Sequence, residues 1–279
     1  MNRIDWRNQR ADICMRLESK IEKCRMLMRY RISWDQLKDV RLMNSKPSHN
    51  QAYVPTEIEH IANMVTHGVC MMPSVLAACE LLRRSGSFSQ VMAAGVYGAA
   101  LSMLFAVSTT FHSVFYCRSN CHMRHVLHRC DRAMIYVFIA GSYFPWLTIG
   151  SPKGSLLEEM RWIIWLLATL GIAYQQMFHE RFKRLETIFY LITGIGPSIA
   201  IIMSDHEFAG MGELKLGGLF YIIGVFFFKS DGVIPLAHAI WHVFVAIAAT
   251  VHYMAILNNL YPASQEIMDD NMSPLELML

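Results

Sequence analysis

Ser108 and His112 stand four residues apart, and His238 and His242 repeat that interval in His238-Ala-Ile-Trp-His242. On an α-helix the interval stacks two side chains on one face a turn apart. Two imidazoles so placed can reach a single metal ion. Neither pair defines a reaction by itself, because a lone histidine inside a membrane more often hydrogen-bonds to a neighbouring helix than binds a metal. Ala239 rather than glutamate follows His238, so the HExxH arrangement of soluble metalloproteases is absent. Asp131 supplies a carboxylate between the two pairs.

The elements that must position these groups follow from composition. The chain of 279 residues is 54% hydrophobic and 17% charged, against about a quarter charged in ordinary soluble domains, so the bilayer is the expected solvent. Apolar blocks fall at about 61–82, 90–115, 133–149, 161–178, 185–203, 214–228 and 236–258. At about 1.5 Å per residue most can cross about 30 Å of hydrocarbon. The reading is an all-α polytopic membrane protein with seven transmembrane helices over residues 58–260, a basic tail at 1–57 and a short acidic tail at 261–279. The sixth block is short and carries Gly217, Gly218 and Gly224, which leaves its limits the least defined.

Orientation follows from Lys and Arg. Residues 1–57 and alternate loops on that side hold 20 of the 25 basic residues, and the opposite side holds 5. The positive-inside rule then predicts a cytosolic amino terminus and a lumenal or extracellular carboxyl terminus. Under that topology the second span ends, and the third and seventh begin, on one side of the membrane. Ser108, His112, Asp131, His238 and His242 therefore share one depth. An ionisable group there is costly unless it serves a shared site. Three neutral imidazoles with a fourth position open to water form the catalytic pattern of zinc. Asp131 would hold water at that position and act as base, with Ser108 orienting a ligand or stabilising charge.

Three blocks carry a resemblance to a known family: Ser108-Thr-Thr-Phe-His112; Cys130-Asp131-Arg132 leading to Ser142-Tyr-Phe-Pro145-Trp146; and Phe228-Lys-Ser-Asp-Gly-Val-Ile-Pro235-Leu-Ala-His238-Ala-Ile-Trp-His242. Over about residues 57–260 the chain resembles the progestin and adipoQ receptors, which are related to the hemolysin III proteins and more distantly to the alkaline ceramidases. The resemblance implies a zinc ion held by His112, His238 and His242, with Asp131 reached through water and Ser108 in the site. It also implies signalling or scaffolding at endomembranes (Golgi, late endosome or lysosome) in preference to the plasma membrane. The alternative it implies is a ceramidase-like, zinc-dependent lipid amide hydrolase using Asp131 and Ser108. Partners are then membrane lipids, a lipid or other hydrophobic ligand, and cytosolic signalling proteins, with no nucleic acid.

Other features compete or stand apart. Ile13, Leu17, Ile21, Cys24 and Met28 recur at helical steps among Arg16, Lys20, Lys23, Arg25 and Arg29. That pattern is a basic amphipathic helix for an anionic leaflet or for the mouth of the bundle. No apolar core follows Met1, so a cleavable signal peptide is not expected. Cys117, Cys121, His122, His125, His128 and Cys130 crowd one loop and form a rival metal site, although their spacing matches no standard ligand pattern. His67 and His252 read as helix-packing groups, and His49, His60, His179 and His206 as surface or interfacial. Ser142 and Pro145 read as bending and packing the third span.

Overall fold

In the computed structural model the described residues are 41–46, 53–117, 121–150, 156–178, 181–203 and 209–262, and their regular structure is entirely helical. The amphipathic stretch at 13–28, the residues after 262, and His49, His179 and His206 lie outside them.

Helix α1 (Glu57–Gly68) begins at a reciprocal cap. The Glu59 amide donates to the Thr56 hydroxyl at 3.3 Å, and the Thr56 amide donates to the Glu59 carboxylate at 2.8 Å, which satisfies two amides that helix geometry leaves open. At its end the Cys70 amide reaches back three residues to the His67 carbonyl at 3.0 Å, a tightening that separates α1 from α2 (Met71–Arg84). The long hairpin α3 (Phe88–Cys117) and α4 (Cys121–Pro145) follows. Pro145 has no amide to continue the ladder, and the chain passes into a π-turn at Trp146–Gly150. Helices α5 (Leu156–Met177), α6 (Lys183–Met203), α7 (Met211–Phe228) and α8 (Ala237–Leu260) complete the described bundle.

Among the described residues five helical stretches are long and apolar enough to cross a bilayer: Glu57–Arg84, Phe88–Val114, His122–Gly150, Met211–Phe228 and Ala237–Leu260. Helices α5 and α6 occupy the fourth and fifth expected blocks; α5 opens with Glu158, Glu159 and Arg161. Large apolar side chains such as Leu166, Leu170, Leu216, Ile223 and Phe226 are exposed on the exterior. An exterior rich in large apolar side chains suits hydrocarbon rather than water.

The core runs through Tyr97, Leu104, Tyr136, Ile164, Val245 and Ile256. Small residues set the closest passes: a methyl group on Gly171 of α5 would come within 2.3 Å of the Tyr136 ring on α4, so only glycine admits that approach. Arg132 on α4 pairs with Glu186 on α6 at 2.7 Å, and the Tyr190 hydroxyl donates to the same carboxylate at 2.9 Å. A charge pair this deeply enclosed is costly to break, since either partner left alone is an uncompensated charge.

Candidate metal centre

A turn with two left-handed residues delivers the last helix to the site. Gly232 (φ 74°) and Leu236 (φ 57°) are both left-handed, and α8 starts at the next residue. Leu236 is an uncommon residue for that conformation and marks local strain. His238 and His242 then occupy the first two turns of α8, while His112 approaches from the end of α3.

One ligand nitrogen from each of His112, His238 and His242 lies within 4.8 Å of the others. Zinc–nitrogen bonds of about 2.0–2.1 Å in a tetrahedron place such atoms about 3.3 Å apart, so modest inward shifts complete the geometry. His112 and His242 are each 2% exposed. Both ring nitrogens of His112 are buried and meet no hydrogen-bond partner among the described residues. The donor set therefore fits a metal ion: three imidazoles, at least one with a nitrogen in search of a partner. Among the described residues this is the one cluster with that geometry.

Asp131 and Ser108 line the same cavity as the three histidines. Asp131 stands outside the group of mutually close ligand atoms. Ser108 faces it, but its buried hydroxyl meets no partner at hydrogen-bonding geometry. The cavity encloses about 1460 Å³ and runs from the histidines along α4, α6 and α7 as far as Lys215 and His252. That exceeds the several hundred Å³ typical of drug-sized ligands, and its shaft is lined by Phe138, Ile139, Leu191 and Ile222.

The first helix supplies a wall that sequence reasoning did not assign to the site. His60, read as surface or interfacial, is instead buried, with its ring centroid 6.3 Å from that of His112. His67 does pack, but on the site itself: its ring stacks on His242 at 3.6 Å and 15°. Asn63 is 1% exposed and both atoms of its amide meet no partner among the described residues. The available signal was the polar series His60, Asn63, Thr66, His67 at helical spacing within an apolar block.

His252 behaves as the packing group expected, with Nε2 3.2 Å from the Leu214 carbonyl and the ring against Gly217. The rival cluster is not a loop: Cys117 ends α3, and Cys121, His122, His125, His128 and Cys130 fall on the first turns of α4, where Cys130 is exposed and His128 stacks on Phe111 at 5.1 Å; the side chains of Cys117 and Cys121 lie outside the described residues.

A short segment ahead of α1 closes over the turn that feeds α8. The Asn44 amide donates to the Tyr53 hydroxyl oxygen at 2.9 Å, and Tyr53 in turn donates to Glu59 at 2.8 Å. Burial, with a smaller contribution from Glu59, pushes Tyr53 up to about 12, so it remains a donor at neutral pH. A methyl group on Gly232 would fall 2.6 Å from the Lys46 Cα.

A helical membrane bundle with this histidine cluster matches one family over most of its length. Residues 56–253 match the haemolysin-III related family, and the chain belongs to it as an integral, multi-pass membrane protein. It is similar to the protein named "Monocyte to macrophage differentiation factor" of Homo sapiens, 44% identical over 229 residues that cover 82% of this chain and 95% of the relative. The Rattus norvegicus protein of the same name is 46% identical over 79% of this chain and 92% of its own length. The "Hemolysin-3 homolog" of Bacillus subtilis is 33% identical over 71% and 93%. No solved structure matches the chain.

Proposed function

We propose that this protein acts in signalling or as a membrane scaffold, with a zinc ion held by His112, His238 and His242 near the cytosolic ends of its helices. The observation that carries the reading is the meeting of three imidazoles from two helices in the wall of a cavity of about 1460 Å³. Nitrogen-rich tetrahedral coordination suits zinc. A metal that ties α3 to α8 beside an apolar shaft couples occupancy of the shaft to helix packing, the differential interaction that a ligand-driven change requires. The relatives' name, a differentiation factor, supports a signalling role.

The topology is seven spans, the five long apolar stretches together with α5 and α6, with residues 1–57 in the cytosol and 261–279 lumenal or extracellular; the 20-to-5 division of basic residues supports this. The location is an endomembrane. Partners are membrane lipids, a hydrophobic ligand in the shaft and cytosolic signalling proteins, and nucleic acid is not among them. The basic tail binds the anionic leaflet, where each nearby Lys or Arg adds about 1 kcal/mol.

Asp131 and Ser108 on the cavity wall favour a second reading, a zinc-dependent lipid amide hydrolase. Zinc in that case would polarise a water or a carbonyl oxygen. Asp131 would accept the proton of the attacking water and pass it to the leaving amine, Ser108 would hydrogen-bond the developing charge, and the apolar shaft would hold the acyl chain. Metal analysis of the purified protein, followed by incubation with a panel of ceramides, separates the readings. Stoichiometric zinc without turnover is the expected result. Release of fatty acid that disappears in Asp131→Asn selects the hydrolase, and absence of zinc overturns both.

A further inference from the structure

The Nδ1 edge of His242 faces α1. Thr66 Oγ1 lies 3.1 Å from it and the Asn63 carbonyl oxygen 3.3 Å. Thr66 has one hydroxyl proton, and its own helix offers the Ala62 carbonyl at 2.8 Å and the Asn63 carbonyl at 3.1 Å to receive it. Towards His242 the hydroxyl can then only accept, and a carbonyl oxygen never donates. Two acceptors at one ring nitrogen require the hydrogen to be there. With Nδ1 carrying it, Nε2 keeps its lone pair for a metal.

His238 meets the same logic from a different element. Asp231 Oδ2, on the turn before α8, is 3.7 Å from His238 Nδ1. At 3.7 Å the carboxylate is just beyond direct hydrogen-bonding range; once it closes on Nδ1 it can only accept, which holds hydrogen on that atom and again leaves Nε2 to ligate. The face of His242 is restrained as well, because His67 stacks on it at 3.6 Å. A flip of the ring would lose both acceptors, and a tilt would lose the stack.

We propose that Thr66, the Asn63 carbonyl and Asp231 are positioning groups that set His242 and His238 as Nδ1–H imidazoles, so that both present Nε2 to one metal ion. The first helix and the turn before α8 thus preorganise the centre without touching the metal. This rests on the three-histidine reading, and the experiment keeps the two separable. Outer hydrogen-bond partners of metal-bound histidines typically contribute about 10- to 100-fold in affinity.

The test uses full-length protein in detergent, with zinc affinity from chelator competition and the visible spectrum of the cobalt-substituted site. Thr66→Val, which keeps the shape but removes the acceptor, should weaken zinc by about 10-fold, and Asp231→Ala by about 10- to 100-fold. Thr66→Ser and Asp231→Asn keep an acceptor atom and should bind within about threefold of the native chain. Both damaging variants should also perturb the cobalt spectrum, which general destabilisation would leave unchanged in the protein that remains folded. Asp231 sits on a partly exposed turn, so its variant gives a reading even if Thr66→Val fails to fold. Should His242→Ala abolish binding while Thr66→Val and Asp231→Ala bind zinc as tightly as the native chain, the positioning inference falls and the three-histidine site stands. Native zinc content in His242→Ala removes the site itself.

Discussion

The two ends of α8 use polar groups in opposite ways. Around Leu260 and Tyr261 the described groups are matched: the Tyr261 hydroxyl donates to the Gln90 carbonyl at 2.7 Å, Gln90 Nε2 donates to the Leu260 carbonyl at 2.9 Å, and Arg84 donates to the Tyr261 carbonyl at 3.3 Å. Around His238 and His242, by contrast, side-chain atoms of Asn63, His67, Ser108 and His112 are buried with no partner among the described residues. Buried polar atoms cost free energy unless something satisfies them. One end of the helix is therefore a closure that holds α2, α3 and α8 together. The other end accepts a stability cost in order to present donors and acceptors to a cavity.

The largest expected effect falls at the histidine end. Replacing His238 or His242 by Ala leaves two nitrogen ligands, so zinc affinity should fall by at least about 10- to 100-fold, the loss that outer partners alone can cause, and zinc measured by elemental analysis should fall to background. The comparison breaks if both variants keep stoichiometric metal.

A smaller effect is expected where the fold is tight but remote from the metal. Gly171→Ala drives a methyl group into the Tyr136 ring, and overpacking of this kind costs about 1–3 kcal/mol. Thermal unfolding in detergent should shift downward while the zinc content of the folded protein stays native. Loss of metal in step with stability would mean that the two regions are not separable.

The smallest effect belongs to the closure. Tyr261→Phe removes one donor from Gln90 and should cost about 0.5–1.5 kcal/mol, read as a lower melting temperature with an unchanged cobalt spectrum. A spectral change would sharpen the comparison by showing that strain travels the length of α8.

Between these lies Gly232→Ala. Its φ of 74° and the Lys46 backbone beside it both oppose a Cβ. The turn carrying Asp231 should shift, weakening zinc by less than Asp231→Ala does. Equal or greater loss would make the segment ending at Lys46 part of the support for the site.

The sequence carried the helical class and the convergence of His112, His238 and His242, because both depend on long-range regularities: apolar blocks of span length and i,i+4 spacing at block ends that charge bias places on one side. The contribution of α1 was hidden for a physical reason. The polar series through Asn63 and Thr66 marks a face of α1, but they act through a backbone carbonyl and a hydroxyl lone pair, and spacing does not say that these meet His242. His67 alone looks like any packing histidine until its stack on His242 is seen. The break after Gly68 and the π-turn after Pro145 are likewise local hydrogen-bond choices that periodicity does not encode. The cavity arises from how helices diverge, and no single segment specifies it.

X-ray absorption at the zinc edge of the purified, full-length protein tests the central claim most directly. The account predicts nitrogen and oxygen scatterers at about 2.0–2.1 Å, with the outer-ring pattern of three imidazoles and no sulfur. Sulfur at about 2.3 Å would contradict it and move the metal to the cysteines at the end of α3 and in the first turns of α4.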